Sequence, residues 1–199
     1  SARANYDAAT ALYSAVRDGK LSMEEYGPVI LGHLDTALVA DPNALAPYLG
    51  KLSLAIGQQR RPTEELQAFE RRLREGVPPA ALYMVVSSLM EMVEMGSPYF
   101  SPNDLQRLFV SALENPELGG TSRAAVLGNY AQLLTVFGRD LTAGTAMMAK
   151  ALEITPSATE LRLLYVGMLV DGNQRAEAVK QLELAQRNDR YGYHSQKIE

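Results

Sequence analysis

The side chains most often used to move protons or hold metals are sparse in this chain. Histidine occurs only as His33 and His194, near opposite ends of the sequence, and cysteine is absent. No two-histidine helical metal motif can be built from such a pair, and thiol catalysis and cysteine-ligated metals are excluded outright. Glu91 and Glu94 stand three apart, which on a helix makes them neighbours that could share a proton or grip a cation. No further acid cluster accompanies them, and they read as a wet stripe on an apolar helix. Arg60, Arg61, Arg71, Arg72 and Arg74 resemble an anion-binding strip, but Glu64, Glu65, Glu70 and Glu75 nearly cancel them, the pattern of a solvated helix face. There is no GxSxG elbow, no phosphate loop of Walker type and no GxGxxG after a strand. No catalytic, cofactor-binding or metal residue is assigned, and no cofactor is expected.

The elements that would position any site are helical in period. Ala8, Ala9, Leu12, Ala15 and Val16 share one side of a helix over Ala4 to Arg17, which Gly19 ends. Ser22 and Glu25 form a capping pattern for a second helix carrying Tyr26, Ile30, Leu34, Ala37 and Leu38, which stops at Asp41-Pro42. His33 on that helix reads as a structural histidine. Asn43 to Ile56 and Pro62 to Arg74 form the next pair, with Glu70 and Arg74, and Arg61 and Glu65, at exposed four-residue spacing. Pro78-Pro79 opens a third pair, in which Leu82 to Met95 is the most apolar helix. Its methionines 84, 90, 92 and 95 suggest a buried central element more than an adaptable partner face. Ser101-Pro102-Asn103-Asp104 starts the following helix with a serine cap, a proline in the first turn and an early acid. Asn115-Pro116 ends it.

From Thr121 to Arg190 the chain repeats itself. Leu127, Tyr130, Ala131, Leu134, Gly138, Gly144, Met148 and Ala151 are answered by Leu161, Leu164, Tyr165, Met168, Gly172, Ala178, Leu182 and Ala185, each pair 34 residues apart (185 − 151 = 34). A period of this length, apolar at helical spacing and broken by a glycine halfway, describes one helix-turn-helix unit after another. Such a unit cannot bury its apolar face alone. Stacking therefore follows, with a groove beside the stack, and the spacing predicts about ten to eleven helices and no sheet. The chain is read as a single helical domain over 1–199, with diverged repeats in 4–116, clearer ones in 121–190 and a tail at 191–199. Tyr191 and Tyr193 in that tail could cap the stack.

These repeats resemble the tetratricopeptide family. The resemblance rests on Leu127 and Leu161 early in each first helix, Gly138 and Gly172 at the turns, Ala151 and Ala185 late in each second helix, and Pro156 between units. Departures are the missing Trp at the first large position, Tyr165 where a small residue is usual, Arg190 in place of a closing proline, and a glycine-to-small spacing one residue long. The resemblance implies antiparallel hairpins stacked as a right-handed superhelix, an α-solenoid, acting as a non-catalytic scaffold for a protein or peptide. It places Ala125, Gly128, Gln132, Thr135 and Val136 on the concave face of one repeat, and Thr159, Arg162, Val166, Leu169 and Val170 on the next. Gln132, Thr135, Arg162, Val166 and Leu169 are thus the expected groove, with Arg162 able to fork onto a ligand carboxylate. Packing against a neighbouring helix or self-association into a homo-oligomer would use the same apolar surface.

The segment FSPNDLQRLFVSALENPEL followed by two terminal repeats also resembles, loosely, the soluble repeat regions of bacterial multi-pass glycosyltransferase-like or O-antigen-ligase-like membrane proteins. That likeness implies an accessory domain positioning an acceptor or partner. It would be periplasmic if so attached and cytoplasmic otherwise, with the transfer chemistry in a missing membrane portion. The chain begins at Ser1 with no basic-plus-apolar leader and reads as a piece of a longer protein. Hydrophobic residues at 47% and charged ones at 21% supply ample core material and speak against disorder. A net charge of −4 argues against nucleic acid as a partner. The longest uncharged runs fall short of the roughly 20 residues that span a membrane, so no membrane contact is required of this piece.

Overall fold

The computed structural model describes residues 1–75, 88–94 and 96–189, and there the protein is all-helical. Nine helices have defined bounds among the described residues: α1 (Ala2–Arg17), α2 (Met23–Ala40), α3 (Ala46–Gly57), α4 (Thr63–Glu75), α5 (Pro102–Leu113), α6 (Gly120–Val136), α7 (Leu141–Ile154), α8 (Thr159–Asp171) and α9 (Arg175–Asn188). Residues 88–94 are also helical. The expected opening at Pro78-Pro79, most of the helix from Leu82 to Met95 including Met84, and the tail with Tyr191, Tyr193 and His194 lie outside the described residues. The chain divides into two compact units, Ser1–Glu117 and the part from Leu118 onward.

In the first unit α1 packs on α2, α2 on α3, α3 on α4 and α4 on α5, and α1 also reaches α3. Between the first three helices sits a core of Ala9, Ile30, Leu34 and Leu54, flanked by Tyr6, Leu12, Tyr13, Val16 and Met23. Leu52, Leu66, Phe69, Leu73, Leu105, Leu108 and Phe109 are buried farther along the same unit. Tyr48 stacks on Phe69 with ring centroids 5.7 Å apart, an offset-stack distance. Ser101 caps α5 reciprocally with Asp104, whose carboxylate accepts from the Ser101 backbone N–H at 2.9 Å. The Ser22 pattern, by contrast, places Ser22 at the start of α2 without a side-chain cap bond.

In the second unit α6 packs on α7, α7 on α8 and α8 on α9. Small residues set the close approaches. A Cβ on Gly144 of α7 would lie 2.9 Å from the Ala131 carbonyl oxygen of α6 and would also strike Thr135 Oγ1. Gly128 of α6 leaves a notch that the Leu161 side chain of α8 fills, since a Cβ there would come within 2.6 Å of Leu161 Cδ2. Ala151 and Ala185 are both fully buried, each with 0% of its surface exposed.

Gln59, Arg139 and Asn173 occupy the left-handed region in the turns of the hairpins α3–α4, α6–α7 and α8–α9, and Gly19 does so between α1 and α2. Three of these turns share one return bond: Lys20 N–H to the Ala15 carbonyl, Arg60 to Ala55 and Gln174 to Leu169. Each satisfies a carbonyl that a helix end would leave orphaned. In the α6–α7 turn Asp140 reaches back to Leu134, one residue farther. The sequence places Gly138 and Gly172 at these turns, and they are there, but the left-handed residue is the one after each. Gly138 answers a spatial need instead, because a Cβ on it would lie 2.8 Å from the Leu134 carbonyl oxygen.

Candidate functional site

Three surfaces bear on binding: a cleft in the first unit, the arginine strip, and the repeat face of the second unit. The cleft lies between α1 and α3, with α2 as its floor. It is lined by Tyr6, Thr10 and Tyr13 from α1, by Ile30 and Leu34 from α2, and by Leu49, Gly50 and Ser53 from α3, and holds about 180 Å³. Residues 6, 10 and 13 follow i, i+4, i+7 and so share one stripe of α1. Gly50 lets the α3 wall sit close on the floor, since a Cβ there would be 2.9 Å from Leu34 Cδ2. The Tyr13 hydroxyl crosses to α3 and donates to the Ser53 carbonyl at 2.9 Å. Burial pushes the Tyr13 phenol up from its usual pKa, against a smaller lowering by the nearby Arg17 charge. Thr10 is exposed at the edge of the cleft, with its hydroxyl donating back to the Tyr6 carbonyl at 2.9 Å. His33 Nδ1 lies 3.0 Å from Asn5 Oδ1 and joins α2 to α1 as a structural histidine.

Much of the arginine strip is consumed internally. Arg60 forks onto Glu65 at 3.2 and 2.5 Å. The expected Arg61–Glu65 pair does not form, because Arg60 occupies Glu65. Arg61 instead reaches Asp104 of α5 at 2.7 Å. Glu70 is buried and lies 2.7 Å from Arg107 and 3.9 Å from Arg74, which itself meets Glu114 at 2.8 Å. The half-buried Arg72 lies 3.7 Å from Glu75. Burial alone would raise the pKa of Glu65, but the Arg60 hydrogen bond, with backbone hydrogen bonding and the charges of Arg60 and Lys51, holds it below its usual value. The strip thus contributes to joining α4 to α5, and it offers little free cation to an external anion.

On the second unit the five groove residues divide. Gln132 and Val166, 34 residues apart, are both half-buried on α6 and α8. Thr135 turns toward α7: its hydroxyl donates to the Ala131 carbonyl at 2.9 Å and it abuts Gly144. Leu169 is a core residue, 1% exposed. Arg162 departs furthest from the expected open concave face, being only 6% exposed. Its guanidinium donates to the Pro156 carbonyl and to Gln181 Oε1, while Nε is buried without a partner. Gln181 in turn donates to Glu177 at 2.8 Å, and Asn188 shares the Pro156 carbonyl at 3.2 Å. Desolvation lowers the Arg162 pKa. A helix–helix clasp, with the fork already engaged inside the fold, replaces the ligand-facing arginine. Val136 and Val170, also 34 apart, are the exposed apolar residues of this face.

Glu91 and Glu94 are both exposed. Among the described residues no three His, Asp or Glu side chains converge on a metal-sized site, and no helix is long and apolar enough to cross a membrane. The cleft was missed in the sequence, although its signal was there: Tyr6, Thr10 and Tyr13 on one helical stripe, and Gly50 and Gly57 seven apart on the opposing helix. Compared with known proteins, the chain matches no family model, no curated protein and no solved structure.

Proposed function

We propose that this chain is a non-catalytic scaffold of tetratricopeptide type that holds a protein or peptide, its hairpins stacking within each unit in the right-handed sense of that family. The observation that carries the reading is the matched role of positions 34 apart. Ala151 and Ala185 are both fully buried, and Gly144 and Ala178 are both buried small residues. Arg139 and Asn173 both take the left-handed conformation in their turns. Residues recurring in this way stack helices; they do not move protons. Stacked hairpins leave extended side-chain surfaces suited to a polypeptide partner.

The test is selection of peptides from a random display library on the purified chain, followed by calorimetry on synthetic copies. Saturable binding at micromolar Kd, about −8 kcal/mol, with the peptide recovered chemically unchanged, is the expected result. A library that yields no saturable binder, or a chain that cleaves or modifies what it binds, would overturn the scaffold reading.

A further inference from the structure

The α1–α3 cleft has a size and an electrostatic edge that narrow what can enter it. Its volume of about 180 Å³ lies below the roughly 300–1,000 Å³ typical of small-molecule pockets, and so suits one bulky side chain. Its walls are aromatic and aliphatic, with Ile30 and Leu34 beneath. Arg17 follows Tyr13 by four residues on the same stripe of α1, about 5–6 Å away between Cβ atoms, and its charge is felt at the Tyr13 phenol. The other cations near this end of the unit have acidic neighbours. Arg3 lies 3.8 Å from Asp7, Lys20 3.1 Å from Asp18 and Lys51 2.8 Å from Asp35. Arg17 is exposed and makes no ion pair with any described residue.

We infer that the α1–α3 cleft is the anchor subsite for a partner peptide carrying one bulky apolar side chain and, about two residues farther along, a carboxylate that meets Arg17. Two extended residues span about 7 Å, comparable with the roughly 5–6 Å between the Tyr13 and Arg17 positions along α1. The apolar anchor supplies affinity by leaving water, and the exposed arginine supplies direction and selects against basic flanks. This subsite rests on the scaffold reading and deepens it by naming the chemistry of the bound segment.

The test uses the full chain and soluble peptide pools. Each pool fixes Ala, Leu, Met or Phe at one position and Glu, Gln or Lys two residues later, and anisotropy of a fluorescent label reports binding. Pools pairing Leu, Met or Phe with Glu are expected to bind at least about ten-fold tighter than Ala or Lys pools, a difference of about 1.4 kcal/mol. Thr10→Trp, at an exposed position on the cleft edge, should fill the mouth and remove that preference for a bulky residue while the thermal melt is unchanged. Arg17→Glu, also exposed, should invert the Glu-over-Lys preference and provides an arm independent of the first variant. Binding that ignores the apolar position in the parent, a bulky-residue preference that survives Thr10→Trp, or a charge preference kept in Arg17→Glu would overturn the subsite and leave the scaffold in place. Loss of a concentration-dependent dimer in Thr10→Trp, with no peptide bound by the parent, would assign the cleft to a second copy and also overturn it.

Discussion

The Tyr13 hydroxyl on α1 donates to the Ser53 carbonyl on α3 at 2.9 Å, in the space that Gly57 leaves open. This bond holds the two walls of the cleft at a fixed separation. Tyr13→Phe keeps the ring and removes the bond, so a loss of about 0.5–1.5 kcal/mol is expected in urea unfolding. Burial raises the phenol's pKa in the folded chain above its usual value of 10.0. Its contribution is therefore fully present below pH 10 and is lost as the pH rises through the folded value. Tyr13→Phe should flatten the alkaline limb of the stability profile.

Ala151 has no exposed surface at the packing of α7. Ala151→Glu forces a carboxylate into that buried contact, and a loss greater than about 3 kcal/mol is expected. A thermal melt unchanged from the parent would mean that α7 does not pack through this residue.

Arg162 is built into the fold. Arg162→Ala removes one of the two donors to the Pro156 carbonyl and the donor to Gln181 Oε1, and should destabilise the second unit by about 1–3 kcal/mol. Arg162→Glu should cost more, because it sets a carboxylate against two oxygens that now face a cation. Proteolysis mapping should show cleavage in the α8–α9 region before any loss in the first unit. Equal resistance to protease in parent and variants would refute the clasp.

Glu65 makes the stability of the first unit acid-sensitive. Its folded pKa is below the usual value of 4.5, so the stabilisation is complete above about pH 4.5 and is lost as the pH falls through the folded value. Because Arg60 is largely exposed, the effect is screened and modest. In Glu65→Gln the unfolding midpoint should fall less steeply between pH 5 and pH 3 than in the parent, as followed by circular dichroism across that range.

Arg139 sits at φ +51° in the α6–α7 turn, where a side chain with a Cβ is strained by roughly 1–2 kcal/mol. Arg139→Gly relieves that strain but frees the unfolded chain. A net gain of about 0.5–1 kcal/mol is expected from denaturant melts, and a loss would show that the arginine side chain has a role of its own.

The sequence by itself determined the helices, their order and most of their ends, because those depend on local matters: apolar spacing near 3.6, the Ser101–Asp104 cap, and proline or glycine at the stops. It also determined which small residues would be buried, since Ala151 and Ala185 recur in phase and only a small side chain fits where two helices meet closely. The tertiary structure alone decided which polar side chains remain free. A 34-residue period marks positions on a helix, but it does not say whether the space beside Arg162 holds solvent or the Pro156 carbonyl and Gln181. Likewise Glu65 could have taken Arg61 at helical spacing, yet Arg60 takes Glu65 and Arg61 reaches Asp104 of α5. The cleft belongs to the same class: Tyr6, Thr10 and Tyr13 are legible as one stripe, but a pocket exists only because α3 brings Gly50 and Ser53 opposite them. Distances between helices arise from packing of the whole unit, and no local pattern contains them.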